Sequence, residues 1–120
     1  MVRDGKVLIA RRKTDLSNGG RWEFPGGKLK AGETPRNCLK RELMEELGIT
    51  VTVSEKMGTG AYEDSCQSIR LLFYRTEWDA GRIRLRDHSE IRWVAARQLK
   101  NFDLTPADRD FAKFLELTEK

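Results

Sequence analysis

Three glutamates, Glu42, Glu45 and Glu46, are the residues of this sequence whose type and spacing most clearly point to chemistry. They lie in RELMEELG, residues 41–48. On a helix they share an arc of roughly 100°, where like charges repel one another. Clustered carboxylates are also hard oxygen ligands for a divalent cation. The segment is therefore either a solvated charged face, balanced by Lys40 and Arg41, or a cation site.

A helix over about residues 35–47 must position these glutamates. Thr34 and Pro35 supply an N-cap and a first helical residue, and Gly48 supplies the stop. Leucines spaced by four form the buried stripe of the helix, namely Leu39, Leu43 and Leu47. The glutamates flank this stripe, which places them at the rim of the core, where a cleft would lie.

Strand patterns surround this helix. KVLIARR (6–12) reads as a strand, and WEFPGGK (22–28) begins as one before Pro25 and two glycines force a turn and allow close approach of the backbone. Further strands are predicted in ITVTVSE, SIRLLFYRTEW, GRIRLR and EIRWVA. A last helix begins at Thr105-Pro106, with a core-facing stripe of Phe111, Phe114 and Leu115. This order predicts one α/β layered domain over residues 1–120 with a mixed sheet.

Composition narrows the class of protein. The net charge is +4 with 35% charged residues, and the basic residues are scattered without interleaved aromatics, which argues against nucleic-acid binding. Cys38 and Cys66 lack metal-ligand spacing and read as reduced thiols. No apolar run approaches the roughly 20 residues of a membrane span, and MVRDGK lacks the apolar core of a signal peptide. We therefore expect a cytoplasmic protein that does not bind membranes.

One spaced pattern joins the acidic segment to the glycines before it. It consists of Gly27, Glu33, Arg41-Glu42-Leu43, Glu45-Glu46 and Gly48-Ile49. This pattern, residues 27–49, resembles the Nudix box with every fixed position filled. WEFPGGK and GETP look like the MutT branch, whose members are nucleoside triphosphate pyrophosphohydrolases, some specific for 8-oxo-dGTP and some for pyrimidine triphosphates.

The resemblance implies a Nudix fold, an α/β/α sandwich in which the box forms a loop, helix, loop unit. It also implies Mg²⁺ or Mn²⁺ held by Glu42, Glu45, Glu46 and the carbonyl of Gly26. The implied reaction is attack by water on the phosphoanhydride chain of a small nucleotide, giving a nucleoside monophosphate and pyrophosphate.

Three further box positions have implied roles. Arg41 would orient and partly neutralise the glutamates, and Lys28 would face the phosphates. Glu33 would hold a metal-bound water or support its loop; alternatively, it is a negative charge favoured by the helix N-terminus.

The proton acceptor is either Glu42 or an acid outside the box. MutT-like members commonly carry a carboxylate six residues before a tryptophan of the later sheet, which here gives Asp87 before Trp93, where glutamate is more usual. Asp87 would act as a metal ligand through water, Glu90 would replace it, or the segment is a charged loop. His88, the only histidine of the sequence, reads as a loop residue.

Base recognition is assigned to LTPADRDF, where Asp108 would accept hydrogen bonds from the amino group of cytosine or from N1 and N2 of guanine. The competing interpretation is that Asp108 closes a capping box with Thr105. Arg12 and Glu23 match positions near the nucleotide in the family, and they also suit ordinary strand-end charges.

The first strand of the family is missing or vestigial, because only Met1, Val2 and Arg3 precede the Asp4-Gly5 turn. Either the true start lies upstream, or the unpaired sheet edge is compensated by pairing with another chain. We therefore expect a monomer or a homodimer.

The favoured function is MutT-like hydrolysis of a nucleoside triphosphate of the 8-oxo-dGTP type. The alternatives are a pyrimidine (CTP-type) triphosphate, a non-catalytic Nudix-like nucleotide-binding module, or an enzyme acting on a dinucleotide, nucleotide sugar or capped RNA. A binding module has no need of the four charged residues Arg41, Glu42, Glu45 and Glu46 together, which favours the enzyme.

Overall fold

The computed structural model describes residues 1–16, 19–27, 29–66 and 68–118. Its strands are β1 (Val2–Arg3), β2 (Lys6–Arg12), β3 (Trp22–Glu23), β4 (Thr50–Glu63), β5 (Ser68–Ala80) and β6 (His88–Val94). Its helices are α1 (Pro35–Leu47), a 3₁₀ helix (Ala96–Asn101) and α2 (Pro106–Thr118). The two predicted helices and the strand KVLIARR are confirmed.

Strand β2 is the centre of the first sheet. It pairs with β6 along one edge and with β1 and β3 along the other, all antiparallel. Strands β4 and β5 form a separate long antiparallel hairpin. Within the described ranges, parallel pairing is limited to the bridge between Trp22 and Leu104.

Both faces of β2 are covered, because its side chains alternate between two hydrophobic clusters. Val7 and Ile9 pack in the cluster that includes Phe111 and Leu115 of α2. Leu8 packs in the cluster that includes Leu43 and other residues of α1. A sheet strand buried by a helix layer on each side gives the expected α/β/α sandwich.

Strand β1 is short and pairs with the start of β2. β1 has two residues, and its pairs with β2 are Val2 with Val7 and Arg3 with Lys6. The Met1 carbonyl also accepts a hydrogen bond from the Leu8 N–H at 3.0 Å.

Two expectations from the sequence are wrong. GRIRLR, residues 81–86, is not a strand; its Arg84 N–H donates to the Leu47 carbonyl at 2.8 Å, so this segment closes the end of α1 instead of joining a sheet. Phe114 does not belong to the buried stripe of α2, since it is 45% exposed, whereas Phe111 and Leu115 are buried.

No helix in the described part of the chain is both long enough and apolar enough to cross a membrane.

Candidate active site

Local signals at both ends of α1 fix the position of its glutamates. The Thr34 side chain accepts the Asn37 N–H at 3.2 Å, and Pro35 follows as the first helical residue. Gly48 ends the helix in the left-handed region at φ 71°, and its N–H donates to Met44. The helix presents its leucines to the core, so its register also fixes which glutamates turn inward.

The three glutamates lie in different environments. Glu46 is buried at 9% exposure, the Glu42 side chain is 16% exposed and the Glu45 side chain is 43% exposed. The Oε2 atom of Glu46 is buried and has no hydrogen-bond partner among the described residues. A buried polar atom without a partner is costly, so Glu46 is the member of the trio whose position most needs an explanation.

The electrostatic environment of Glu46 explains why its carboxylate lies there. Burial, and then the negative charges of Glu23, Glu42 and Asp87, raise the pKa of Glu46 to about 8, and a backbone hydrogen bond from Gly26 opposes this rise. Four carboxylates therefore lie close enough for their charges to interact, and one of them, Glu46, is buried. Such a group fits a hard divalent cation, which supplies both the missing charge and the missing partner.

Arg41 links the acids that precede and follow it. Its guanidinium donates to both oxygens of Glu33, from Nε at 2.6 Å and from Nη2 at 3.0 Å. Nη1 donates to Glu42 at 2.7 Å and to Glu45 at 3.1 Å. A planar fork with several donors can hold three carboxylates at once, which the point charge of a lysine cannot do.

Glu33 precedes the N-cap and does not belong to the first turn of α1. The hydrogen bonds from Arg41, and then that from the Lys30 N–H at 2.9 Å, lower the pKa of Glu33 to about 2. Its carboxylate therefore stays ionised and fixes the loop between the glycines and the helix to Arg41.

Gly27 allows the backbone to approach Glu42. A methyl group added at Gly27 would overlap the Glu42 carboxylate, so a side chain here would displace one member of the acidic group. The close approach predicted from WEFPGGK is thus present at Gly27. A methyl group at Gly26 would make only an ordinary contact, at 3.6 Å from Leu39. Lys28, predicted to face the phosphates, lies outside the described residues.

Arg12 and Glu23, both expected near the nucleotide, contact each other. Arg12 Nη1 donates to Glu23 Oε2 at 3.1 Å. The same oxygen lies 2.8 Å from Nε2 of His88. His88 begins β6 and its side chain is fully buried, so the interpretation of His88 as a loop residue is wrong. The spacing of the sequence does not mark this pair, since the two residues are 65 positions apart and meet only because β3 and β6 both flank β2.

Asp87 and Glu90, the alternative outside acids, differ in their surroundings. Asp87 is half-buried, and its negative charge acts on Glu46. Glu90 lies at 3.4 Å from both Arg11 and Arg92, with its side chain 38% exposed. The charge of Asp87 therefore acts on Glu46, whereas Glu90 is paired with two arginines.

Asp108 lies in the first turn of α2, 3% exposed. Its Oδ2 atom accepts the Phe24 N–H at 3.0 Å and the Thr105 hydroxyl at 3.0 Å. The Thr105 N–H donates to the Trp22 carbonyl instead, so the two residues do not form the reciprocal capping box considered from the sequence. Burial is the main cause that raises the pKa of Asp108 to about 7, and the charge of Glu23 adds to it.

A cavity of about 640 Å³ lies beside some of these groups. Its wall includes Arg12, Glu23, Gly26, Gly27, Asp108 and Phe111. Its volume is in the range of small-molecule sites, and its lining combines the carboxyl groups of Glu23 and Asp108 with aromatic and apolar side chains.

Comparison with known proteins agrees with this geometry. The model of the NUDIX domain family matches residues 1–115. The chain belongs to the Nudix family. Like its relatives it is a hydrolase that acts on phosphoanhydride bonds, and members of this family generally use a divalent metal.

Two relatives and one solved structure show the likeness within the Nudix family. The "Putative 8-oxo-dGTP diphosphatase 2" of Mycobacterium tuberculosis is 40% identical, over 98% of this chain and 84% of the relative. The CTP pyrophosphohydrolase of Escherichia coli K12 is 37% identical, over 88% of this chain and 78% of the relative. The crystal structure of the MutT protein from Methanosarcina mazei Go1 matches with a TM-score of 0.83 at 27% identity, covering 97% of this chain and 86% of that one. The resemblance to the MutT-like branch is thus confirmed.

Proposed function

We propose that this Nudix hydrolase converts a nucleoside triphosphate of the 8-oxo-dGTP type to the monophosphate and pyrophosphate, with Mg²⁺ or Mn²⁺ as cofactor. The observation that carries the proposal is the buried Glu46 carboxylate, whose Oε2 atom has no hydrogen-bond partner among the described residues and on which the negative charges of three further carboxylates act. This arrangement is unfavourable without a cation and favourable with one. The names of the relatives supply the triphosphate class.

Water attacks a triphosphate slowly because its negative oxygens repel the nucleophile. The bound cation would screen that charge and lower the pKa of a bound water. Glu42, Glu45, Glu46 and the Gly26 carbonyl are the groups that we propose hold it.

The chain itself contributes mainly positioning. Arg41 holds Glu42 and Glu45 through Nη1 while Glu33 holds Arg41, so the orientation of two proposed ligands depends on one ion-paired loop. Gly27 keeps the space that the Glu42 carboxylate occupies. Lys28 follows directly in the sequence and is proposed to contact the phosphates.

Glu42 and Asp87 are the two candidates for the proton acceptor. Glu42 Oε1 accepts a hydrogen bond from Arg41, which holds that oxygen in place. The negative charge of Asp87 acts on Glu46. Single-turnover rates of Glu42→Gln and Asp87→Asn across pH separate them, because only loss of the acceptor removes the ascending limb of the pH profile.

Base recognition is proposed for Asp108, with Arg12 and Glu23 at the same cavity. Both hydrogen bonds that Asp108 accepts from the protein end on Oδ2, and a pKa of about 7 allows the carboxyl group to donate as well as accept near neutral pH. A donor–acceptor pair suits the edge of an oxidised purine. An ionised Asp108, which only accepts, would suit the amino group of cytosine, and the CTP-named relative makes CTP the second candidate substrate.

The experiment is a panel of canonical and oxidised triphosphates, ADP-ribose and dinucleotides, incubated with the purified protein and Mg²⁺. Pyrophosphate and phosphate release are scored separately. We expect pyrophosphate from 8-oxo-dGTP at the highest kcat/KM. Turnover confined to ADP-ribose or dinucleotides would reject the triphosphate class, and turnover nowhere in the panel would favour the binding module. That residues 1–120 form one domain, that the protein is a monomer or homodimer and that it is cytoplasmic stay predictions from the sequence.

A further inference from the structure

Three side chains from three different elements meet beside the acidic segment. Glu23 comes from β3, Glu46 from α1 and His88 from β6, and each offers one ligand atom within 4.8 Å of the other two. Only Glu46 belongs to the box. Two ligands of one ion at 2.0–2.1 Å lie at most about 4.2 Å apart, so a small movement brings all three atoms into range.

Two atoms of this group lack partners. Nδ1 of His88 and Oε2 of Glu46 are buried without a hydrogen bond to any residue that the structure describes. The His88 side chain has no exposed surface, and Glu46 is 9% exposed. A packed interior rarely leaves a buried carboxylate oxygen without a partner, so Oε2 of Glu46 points to a further occupant beside Glu23 and His88.

We propose that His88 and Glu23 join Glu46 in holding a divalent transition-metal ion, at a position that extends the acidic group of the box into the sheet. The proposal rests on the proposed function only for the assignment of Glu46 as a metal ligand.

The contact between His88 and Glu23 indicates where the ion would bind. Nε2 of His88 and Oε2 of Glu23 are 2.8 Å apart, so a proton lies between them when no ion is bound. Metal binding replaces protons on imidazole and carboxylate ligands, and here the ion takes the place of that proton. The guanidinium of Arg12, at 3.1 Å from Glu23 Oε2, already orients this carboxylate.

The ion can reach this position through the cavity. Glu23 lines the 640 Å³ cavity together with Arg12 and Gly26, so a cation that enters with the nucleotide reaches Glu23 without an opening of the core.

The imidazole determines which ions fit. Mg²⁺ prefers oxygen ligands alone, whereas first-row transition ions bind imidazole as well as carboxylate. The position formed by Glu23, Glu46 and His88 therefore favours Mn²⁺ over Mg²⁺. A position at the box with carboxylate ligands alone would accept either ion.

The test uses electron spin-echo envelope modulation of Mn²⁺ added to untagged full-length protein. The sequence contains one histidine, so imidazole ¹⁴N coupling can come only from His88. We expect ¹⁴N modulation in the wild type, its replacement by the ¹⁵N pattern after labelling with ¹⁵N-histidine, and its loss in His88→Gln. Mn²⁺ affinity in His88→Gln should fall about tenfold or more, and Glu77→Gln, which changes an exposed carboxylate of β5, should match the wild type.

The ¹⁵N-histidine experiment uses wild-type protein, so its result is valid even if His88→Gln does not fold. Bound Mn²⁺ without imidazole coupling would overturn the proposal and make His88 a structural partner of Glu23. Since this readout needs no turnover, pyrophosphate release without nitrogen coupling rejects the His88 site alone. Nitrogen coupling without turnover of any triphosphate rejects the proposed function alone.

Discussion

Replacing Asp108 with asparagine should stabilise the protein at alkaline pH. Both hydrogen bonds to the Asp108 side chain end on Oδ2, and an amide oxygen can accept both. The variant Asp108→Asn therefore keeps these contacts and removes only the cost of a buried charge.

The size of the effect follows from the pKa. Burial, the largest cause, raises the pKa of Asp108 from 3.8 to about 7, and at about 1.4 kcal/mol per pKa unit this corresponds to roughly 4 kcal/mol in favour of the protonated carboxyl group. A group with a raised pKa in the folded state stabilises the fold fully below the unfolded pKa. This contribution is lost as the pH rises through about 7.

The assay is urea unfolding of the wild type and Asp108→Asn at pH 5 and pH 8. Linkage predicts that the advantage of the variant in free energy of unfolding is roughly 2–3 kcal/mol larger at pH 8 than at pH 5. Asp15→Asn, the same change at an exposed loop position, controls for net charge and should show no such dependence. An advantage equal at both pH values, or shared by Asp15→Asn, would refute the reasoning.

Three further variants test the positioning of the site. Gly27→Ala should lower kcat about 100-fold, measured by pyrophosphate release, because the methyl group displaces the Glu42 carboxylate. Glu33→Gln should lower the free energy of unfolding above about pH 5, because the hydrogen bonds from Arg41 lower the pKa of Glu33. The difference from the wild type should vanish as the pH falls toward about 2, and urea titrations at these two pH values check this. Gly60→Ala should lower the free energy of unfolding, measured by urea titration, by about 1–3 kcal/mol, because its methyl group would overlap the backbone of α2.

The acidic helix could be predicted from the sequence because its signals are local. Thr34, Pro35 and Gly48 lie within the segment that they delimit, and the leucine spacing gives the buried face directly. The result is a helix over Pro35–Leu47, as predicted, with Leu43 and Leu47 in the core. The order of strands and helices predicted an α/β layered domain, and the resemblance to the Nudix family implied the α/β/α sandwich.

What the sequence does not show depends on contacts between distant residues. His88 looks like part of a charged loop because its neighbours are Asp87 and Ser89, yet pairing of β6 with β2 buries it against Glu23. The alternation in GRIRLR is that of a strand, but the backbone hydrogen bond from Arg84 goes to the end of α1. Local patterns report which face of an element is apolar; they do not report which partner that element meets.

The three glutamates also show the limit of spacing arguments. Their positions predict one shared arc of the helix, and the structure separates them into a buried Glu46, a half-buried Glu42 and an exposed Glu45. The register of α1 turns Glu46 inward, and the elements packed beside α1, the glycine loop against Glu42 and the strands that carry Glu23 and His88, complete this difference. Spacing along α1 does not report these neighbours.

Pyrophosphate release from 8-oxo-dGTP by the wild type and by Glu46→Gln, with Mg²⁺, tests the central claim most directly. Burial disfavours the charged form of Glu46, so the glutamine variant should be at least as stable as the wild type, and thermal melts check this. We predict 8-oxo-dGMP and pyrophosphate from the wild type and a rate at least about 100-fold lower in the folded variant. Turnover undiminished in Glu46→Gln, or release of phosphate in place of pyrophosphate, would contradict the account.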